Sequence, residues 1–382
     1  MSTSPPVSPG GSGVGRVAAV VLVVAGLAAG VALRADVGRR LEVASVPPVD
    51  LATARPAAEL WPQAVVSIPD NLPDGRPAWP AGRVDEDRYL MVPSDPSLPY
   101  HLPVVLDTRT GDVRELFSDP PGSRERTWVW ASVGERSIVA VTAVAGDGQQ
   151  STKEVWTAPR AGGPAQRRAV FDTQDVTAYE VGGTVYASLR RFPPPETGPA
   201  ATIVRILDGG RTQKVVDGFR MRSWSPWAGP ETTRGLQTGE ELRRSTAPAA
   251  APTFVNVATG ERRTPRTPAG VTLIACGVET CVGESREGVV SYRFDGSRQR
   301  RVTGLGPGDP YVEVVFDRSG RFAAVRVSDV QHPGGDARSF VWDLTRNTVG
   351  ALGTNSQLMM QGLVPLGVTG DRESLLDVAR IR

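Results

Sequence analysis

All the thiol chemistry of this chain rests on Cys276 and Cys281, separated only by Gly277-Val278-Glu279-Thr280. Strand-forming residues flank the pair, Thr272 to Ala275 before it and Val282 after it, so the two can close across a hairpin turn. A disulfide there would be worth roughly 2 kcal/mol in the chain-entropy account and would persist in an oxidising compartment. Two reduced thiols or half of a zinc site are the other readings. A zinc site needs four ligands, and neither His101 nor His332 lies near in sequence. Those are the two histidines of the chain, in Pro99-Tyr100-His101-Leu102-Pro103 and Gln331-His332-Pro333-Gly334, both loop contexts. Acid-base catalysis requires a base, an acid or a metal converging on one point, and two loop histidines offer little toward it. The nucleophile elbow, the phosphate-binding P-loop and the H-E-x-x-H pattern are all absent. Gly304-Leu305-Gly306-Pro307-Gly308 lacks the strand-turn-helix context of a dinucleotide site and reads as a loop. No catalytic residue, metal or cofactor is assigned, and an enzyme is the less favoured reading.

The densest acidic cluster, Asp85-Glu86-Asp87, reads as a solvated turn before the strand Tyr89 to Val92, with a calcium site as its alternative. Recognition chemistry is richest in Arg220-Met221-Arg222-Ser223-Trp224-Ser225-Pro226-Trp227. Arg220, Arg222, Trp224 and Trp227 are the candidate binding residues, because Trp and Arg dominate binding hot spots and Arg stacks on aromatic faces. The alternation of Phe219, Met221 and the indoles fits internal packing equally. Residues 226–252 form the longest stretch without strand character, and long loops often carry function. Arg190-Arg191-Phe192-Pro193-Pro194-Pro195 is a second loop candidate.

Charge narrows the partners. The formal net charge is +2, and the basic residues are scattered among acids, which gives nucleic-acid binding no support. With 40% hydrophobic and 22% charged residues, the chain can bury a core.

The elements that would position these residues are strands. From Trp61 onward the chain is dense in Val, Ile, Thr and aromatic residues, broken every few residues by Gly, Pro or Asp. A phrase recurs: an apolar alternating run, a turn, then a polar run, as in Val104 to Gly111, Ile203 to Gly209, Phe254 to Gly260, Tyr292 to Gly296 and Phe340 to Asn347. Its turn residues, Gly111, Gly162, Gly209, Gly260, Gly296 and Asn347, recur about 50 residues apart, with one shorter step between Gly260 and Gly296. Propeller blades repeat every 40 to 50 residues or so. Six turns plus a final phrase from Ser374 to Ile381, resembling a third strand cut short, imply a seven-bladed all-β propeller, or six blades if that phrase is only a tail. The missing outer strand would come from Gln63 to Ile68, joining the chain ends and removing the open edge.

Phe316-Asp317-Arg318-Ser319-Gly320-Arg321-Phe322-Ala323-Ala324-Val325 resembles the turn that feeds the second strand of a blade in WD40-like and TolB-like propellers. Asp107-Thr108-Arg109-Thr110-Gly111 similarly resembles the turn between their third and fourth strands. The Gly-His and Trp-Asp pair of true WD40 repeats is missing, so the partner habits of that family do not carry over.

Ahead of the repeats, residues 1–15 form a Ser, Pro and Gly-rich tail. Val17 to Leu33 then runs without a charge, spanning roughly 26 Å at helical rise, a little under a hydrocarbon core of about 30 Å. It reads as a single transmembrane helix within 16–34, with a cleaved secretory signal as the alternative. Arg34, Arg39 and Arg40 follow the span and only Arg16 precedes it, which by charge counting favours a cytoplasmic domain. The cysteine pair argues the opposite side. Residues 35–56 are expected to be a juxtamembrane linker, in which Asp50 could cap a short helix, and 57–382 the propeller. The expectation is an extracytoplasmic module held at a membrane of actinobacterial type through residues 17–33, binding an unidentified protein or glycan. A propeller hydrolase or lyase acting on an envelope substrate is the alternative.

Overall fold

The computed structural model describes residues 47–93, 102–117, 126–144, 152–173, 175–191, 199–221, 226–230, 252–305, 310–329, 337–353, 361–369 and 372–382. Pro47–Arg382 is a compact unit distinct from residues 1–46. The apolar stretch 17–33 lies outside the described residues, and among those described no helix is long and apolar enough to cross a membrane.

Seven antiparallel sheets follow one another along the chain. The first holds Ala78–Arg83, Arg88–Pro93, Val104–Asp107 and Val113–Glu115. In the second are Arg126–Val133, Ser137–Val144, Thr152–Pro159 and Gln166–Phe171, and in the third Asp175–Val181, Thr184–Arg190, Ala201–Ile206 and Thr212–Asp217. The fourth is short, with Phe219–Arg220, Trp227–Pro230, Phe254–Asn256 and Arg262–Arg263. The fifth has Thr272–Cys276, Thr280–Ser285, Gly288–Arg293 and Arg300–Thr303, and the sixth Pro310–Phe316, Phe322–Asp329, Arg338–Asp343 and Thr348–Ala351. The seventh unites Leu363–Thr369 and Arg372–Asp377 with Val65–Pro69 from the other end of the chain. Each sheet is a blade, and the first strand of each full blade lies at one edge of its sheet; those of the first and second, second and third, and fifth and sixth blades meet one another. The protein is a seven-bladed β-propeller.

Its core is a series of layers between blades. Ala81, Leu90 and Val92 of the first blade pack on Ala131, Ile138 and Ala140 of the second, and Val139, Val141 and Val155 of the second pack on Val176, Ala178 and Ala187 of the third. Because a middle strand is covered on both faces, Ser137–Val144 is apolar almost without interruption instead of alternating.

Six of the expected turn residues occupy one equivalent place, the connection between third and fourth strands. All have left-handed backbones: Gly111 (φ 81°), Gly162 (129°), Gly209 (72°), Gly260 (75°), Gly296 (82°) and Asn347 (56°). A glycine, or an asparagine, tolerates that region where other residues are strained. The turns share chemistry as well, since Asp107, Asn256 and Asp343 each accept backbone N–H bonds from the residues two and three positions on. The step from Gly260 to Gly296 is short because Arg286 and Glu287 alone join the second and third strands of the fifth blade.

Ring closure follows the expected exchange. Val65 to Pro69 pair antiparallel with Leu376 to Arg372, so the N-terminal strand completes the last blade on its outer side. The final expected phrase is observed as the strand Arg372–Asp377 followed by one 3-10 turn, Val378–Arg380. Residues 47–56, expected in the linker, belong instead to the compact unit. Val49 and Asp50 pair in parallel with Val302 and Thr303 on the edge of the fifth blade, and Pro56 bridges Ala351 on the edge of the sixth. Asp50 does cap a turn, accepting the Ala52 N–H at 2.9 Å, but the turn is 3-10 and spans only Leu51–Thr53. A four-residue helix, Ala57–Leu60, then leads to Trp61, which is buried against Phe322. This strap covers two strand edges that would otherwise be open to pairing with another chain.

Candidate functional site

Antiparallel order gives the ring two unlike faces. Connections from first to second and from third to fourth strands emerge on one face, and none is longer than 160–165, 221–226 or 294–299. Connections from second to third strands and between full blades emerge on the other, and they include 94–103, 191–200 and 231–253, whereas 352–362 ends at Gln361 on the first face. We term these the turn face and the loop face.

The turn face is closed across the centre. Gln361, at the head of the seventh blade, passes Gly82 of the first blade to reach the second, where its side chain accepts the Val133 N–H and donates to the Ala131 carbonyl, each at 2.7 Å. Gly82 leaves room for this, since a Cβ there would lie 2.4 Å from Gln361 Oε1. Arg318 of the sixth blade pairs with Glu135 of the second at 2.6 Å, and Arg160 donates to the Val84 carbonyl of the first. Glu180, buried on the inner strand of the third blade, accepts the Ser137 N–H at 2.7 Å and the Ser137 hydroxyl at 2.5 Å. Asp85 is bound to Arg88 at 2.6 Å within the acidic turn. Among the described residues no group of three or more His, Cys, Asp or Glu side chains could hold a metal ion. His101 and His332 lie outside the described residues.

Cys276 and Cys281 stand directly opposite one another in the hairpin register of the fifth blade and are joined by a disulfide. Their turn packs tightly on the sixth blade: a Cβ on Gly277 would lie 2.9 Å from the Phe316 ring.

The four candidate binding residues do not form one patch. Trp227 is buried at the turn-face end of its strand, with the Arg263 guanidinium 4.5 Å over its ring and Phe294 of the fifth blade at 6.0 Å. Arg220 lies toward the loop face instead, held between Phe219, which carries Arg262 over its ring at 5.6 Å, and buried Met221, whose N–H donates to Ser188 Oγ at 3.0 Å. Arg222 and Trp224 lie outside the described residues.

Around Arg220 the structure gathers residues that the sequence did not single out. Its Nη2 is 3.3 Å from Asp175 Oδ2, at the start of the inner strand of the third blade. Arg190 is the register partner of Asp175. Lys153, near the start of the third strand of the second blade, is only 7% exposed, and burial pushes its ammonium pKa down while Asp175 pulls it back up. Their sequence spacing carries no signal, because they come together only when three blades are side by side.

No protein-family description matches the chain, and no curated protein matches it in sequence. Several solved structures resemble the chain at low sequence identity. An uncharacterised protein of Listeria monocytogenes is 12% identical over 80% of this chain and 93% of its own, with a TM-score of 0.46. TolB of Acinetobacter baumannii is 10% identical over 87% and 85%, with a TM-score of 0.36. The WD40 domain of SCAP from fission yeast is 8% identical over 78% and 83%, with a TM-score of 0.34. At such identities the likeness concerns fold alone. By its own sheet order, then, the chain is a seven-bladed β-propeller, similar to TolB-like and WD40-like propellers.

Proposed function

We propose that this propeller is a binding or scaffolding module held at a cell membrane on the extracytoplasmic side, and that it takes a protein partner on its loop face. The observation that carries the reading is the contrast between the faces. One is made of short, mutually bonded turns with the channel end bridged by Gln361 and by Arg318 with Glu135. The other carries the long second-to-third-strand connections 94–103, 191–200 and 231–253, and long connections on a rigid scaffold are where recognition is usually placed. The apolar stretch 17–33 supports the membrane attachment and the Cys276–Cys281 disulfide supports an oxidising compartment.

A photo-crosslinking residue placed in the full-length chain at Asp172, on the loop face, should capture a specific envelope protein in the source cells. The same residue at Arg109, exposed on the turn face, should not. Capture from Arg109 alone would overturn the assignment of the face. Thiol labelling of intact cells should modify Cys276 and Cys281 only after reduction; labelling without reductant would contradict the compartment.

A further inference from the structure

We propose that the turn-face end of the fifth blade, with the segment leading into it, is a docking surface for anionic phospholipid, so that the propeller lies with this rim on the membrane and its loop face turned away. The inference rests on the membrane attachment proposed above and names the surface that meets the lipid.

Strand direction shows from which side the chain enters the ring. The outer strand Arg300–Thr303 follows the turn 294–299 and therefore runs from the turn face toward the loop face. Val49 and Asp50 pair in parallel with its Val302 and Thr303. The backbone that becomes the strap thus arrives from the turn-face side of the fifth blade, with Pro47 and Pro48 exposed just ahead of the pairing. Residues 34–46 separate Pro47 from the apolar stretch 17–33 and reach roughly 45 Å when fully extended. A domain of this size is about 50 Å across, so a span at 17–33 keeps that rim within one domain width of the lipid.

The charge at the rim has the matching sign. Arg266, Arg293 and Arg298 are exposed and enter no ion pair among the described residues. Arg266 belongs here because its N–H donates to the Phe294 carbonyl at 2.7 Å. Beside them Arg300 donates to the Leu344 carbonyl, a neutral acceptor, and burial together with the Arg298 charge pushes its pKa down. Against these arginines stand two exposed acids, Glu279 and Asp295, and Asp295 is also engaged by the N–H and hydroxyl of Ser297. Neighbouring carboxylates are matched by their own cations, Glu261 by Arg263 at 2.7 Å and Asp343 by Arg321 at 2.6 Å.

The first blade, almost opposite in the ring, brings Asp85, Glu86 and Asp87 to the same face against Arg88 and Arg109, which leaves no excess of cations there. Attraction to a negative surface is therefore one-sided and sets the fifth blade down first. Turns at the rim carry these arginines, an arrangement that suits a plane of headgroups better than an enclosed ligand.

The test reconstitutes the full-length protein in phosphatidylcholine vesicles with and without phosphatidylglycerol, all containing a lipid with a spin-labelled headgroup. It reads quenching of a coumarin amino acid placed at Gln299, on the fifth-blade turn, or at Asp172, on the loop face. With phosphatidylglycerol, quenching at Gln299 should exceed that at Asp172 by about three-fold or more and should fall as salt rises. R266Q, R293Q and R298Q combined should cut quenching at Gln299 by at least about two-fold. These side chains are exposed, and thermal melting checks that the fold persists.

Equal quenching at the two positions, stronger quenching at Asp172, or a Gln299 signal indifferent to phosphatidylglycerol or to the arginine changes would overturn the docking surface. Alkaline extraction of the vesicles separates that result from the attachment itself. A chain retained after extraction but without preference for Gln299 keeps the membrane reading and loses the docking surface. A chain that shows the Gln299 pattern and is then released by extraction loses the anchor and keeps the lipid-binding surface; release with no pattern removes both.

Discussion

Arg318 Nη2 lies 2.6 Å from Glu135 Oε1, although one residue belongs to the sixth blade and the other to the second. In a ring of seven, such a contact spans the mouth of the central channel, and its neighbour Gln361 makes the equivalent reach from the seventh blade. The two bridges differ in strength. The ion pair is solvent-accessible, with side chains 35% and 56% exposed, whereas Gln361 satisfies two backbone groups of an inner strand.

Replacing either partner of the ion pair, as in E135Q, is expected to cost at most about 1 kcal/mol. Q361A should cost about 1 to 3 kcal/mol, because it leaves the Val133 N–H and the Ala131 carbonyl without their partner. Urea unfolding of the two variants measures the difference; equal costs would contradict the structural role given to Gln361.

Removing the disulfide as C276S with C281S should lower stability by about 2 kcal/mol, the loop-closure entropy of so small a loop. Wild-type protein melted in reductant should match the variant. A variant as stable as oxidised wild type would show that the bond contributes nothing to this blade.

Two buried aspartates should respond differently to neutralisation. Burial alone would push the Asp343 carboxyl up, but Arg321 Nη2 at 2.6 Å, the Thr345 hydroxyl at 2.7 Å and the Arg346 N–H hold it below its ordinary value. A lowered folded value means stability present above the ordinary carboxylate range and lost as pH falls through the folded value. D343N should therefore cost about 2 kcal/mol at neutral pH, with the deficit shrinking in acid.

At Asp377 burial prevails and raises the pKa, because Arg83 and Arg380 approach no closer than 3.3 and 3.4 Å. With the folded value raised, the ionised carboxylate weighs against the fold at neutral pH, and the penalty is relieved as pH falls through that value. D377N keeps an acceptor for the Ala379 N–H and should leave stability at pH 7 within about 1 kcal/mol of wild type. A cost equal to that of D343N, read from urea unfolding across pH, would contradict this contrast.

The strap makes its own prediction. A Cβ at Gly350 would lie 2.6 Å from the Trp61 ring and 2.9 Å from Ala57, so G350A should cost about 1 to 3 kcal/mol through overpacking. Trp61 is buried, and W61A should cost about 3 kcal/mol. The two should be non-additive, since removing the indole relieves most of the crowding. Additive costs in thermal unfolding would mean that the strap does not press on the sixth blade.

What the sequence disclosed was whatever has a local cause. Gly111, Gly209 and Gly260 mark turns because each needs a left-handed backbone, and Gln63 to Ile68 announces the closing strand by its composition. The cysteine hairpin was legible for the same reason, with flanking strand residues fixing the register. By contrast, Val49 and Asp50 follow Pro47-Pro48 and form a strand of two residues, too short to leave a pattern. Trp227 shows the limit at the candidate site: its neighbours Arg220 and Met221 suggested one recognition segment, yet strand alternation and direction send Arg220 to one face and Trp227 to the other. Lys153, Asp175 and Arg220 had no signal, since their proximity is a property of blade order.

The closed ring itself is open to one direct measurement. Ser67 and Ser374 are register partners across the seam, near opposite ends of the chain. S67C combined with S374C should form an intramolecular disulfide on mild oxidation, seen as a faster-migrating band without reductant and as a 67–374 linked peptide in mass spectrometry. Cysteines at these two positions that remain unlinked in the folded protein would contradict closure of the seventh blade by the N-terminal strand, and with it the propeller.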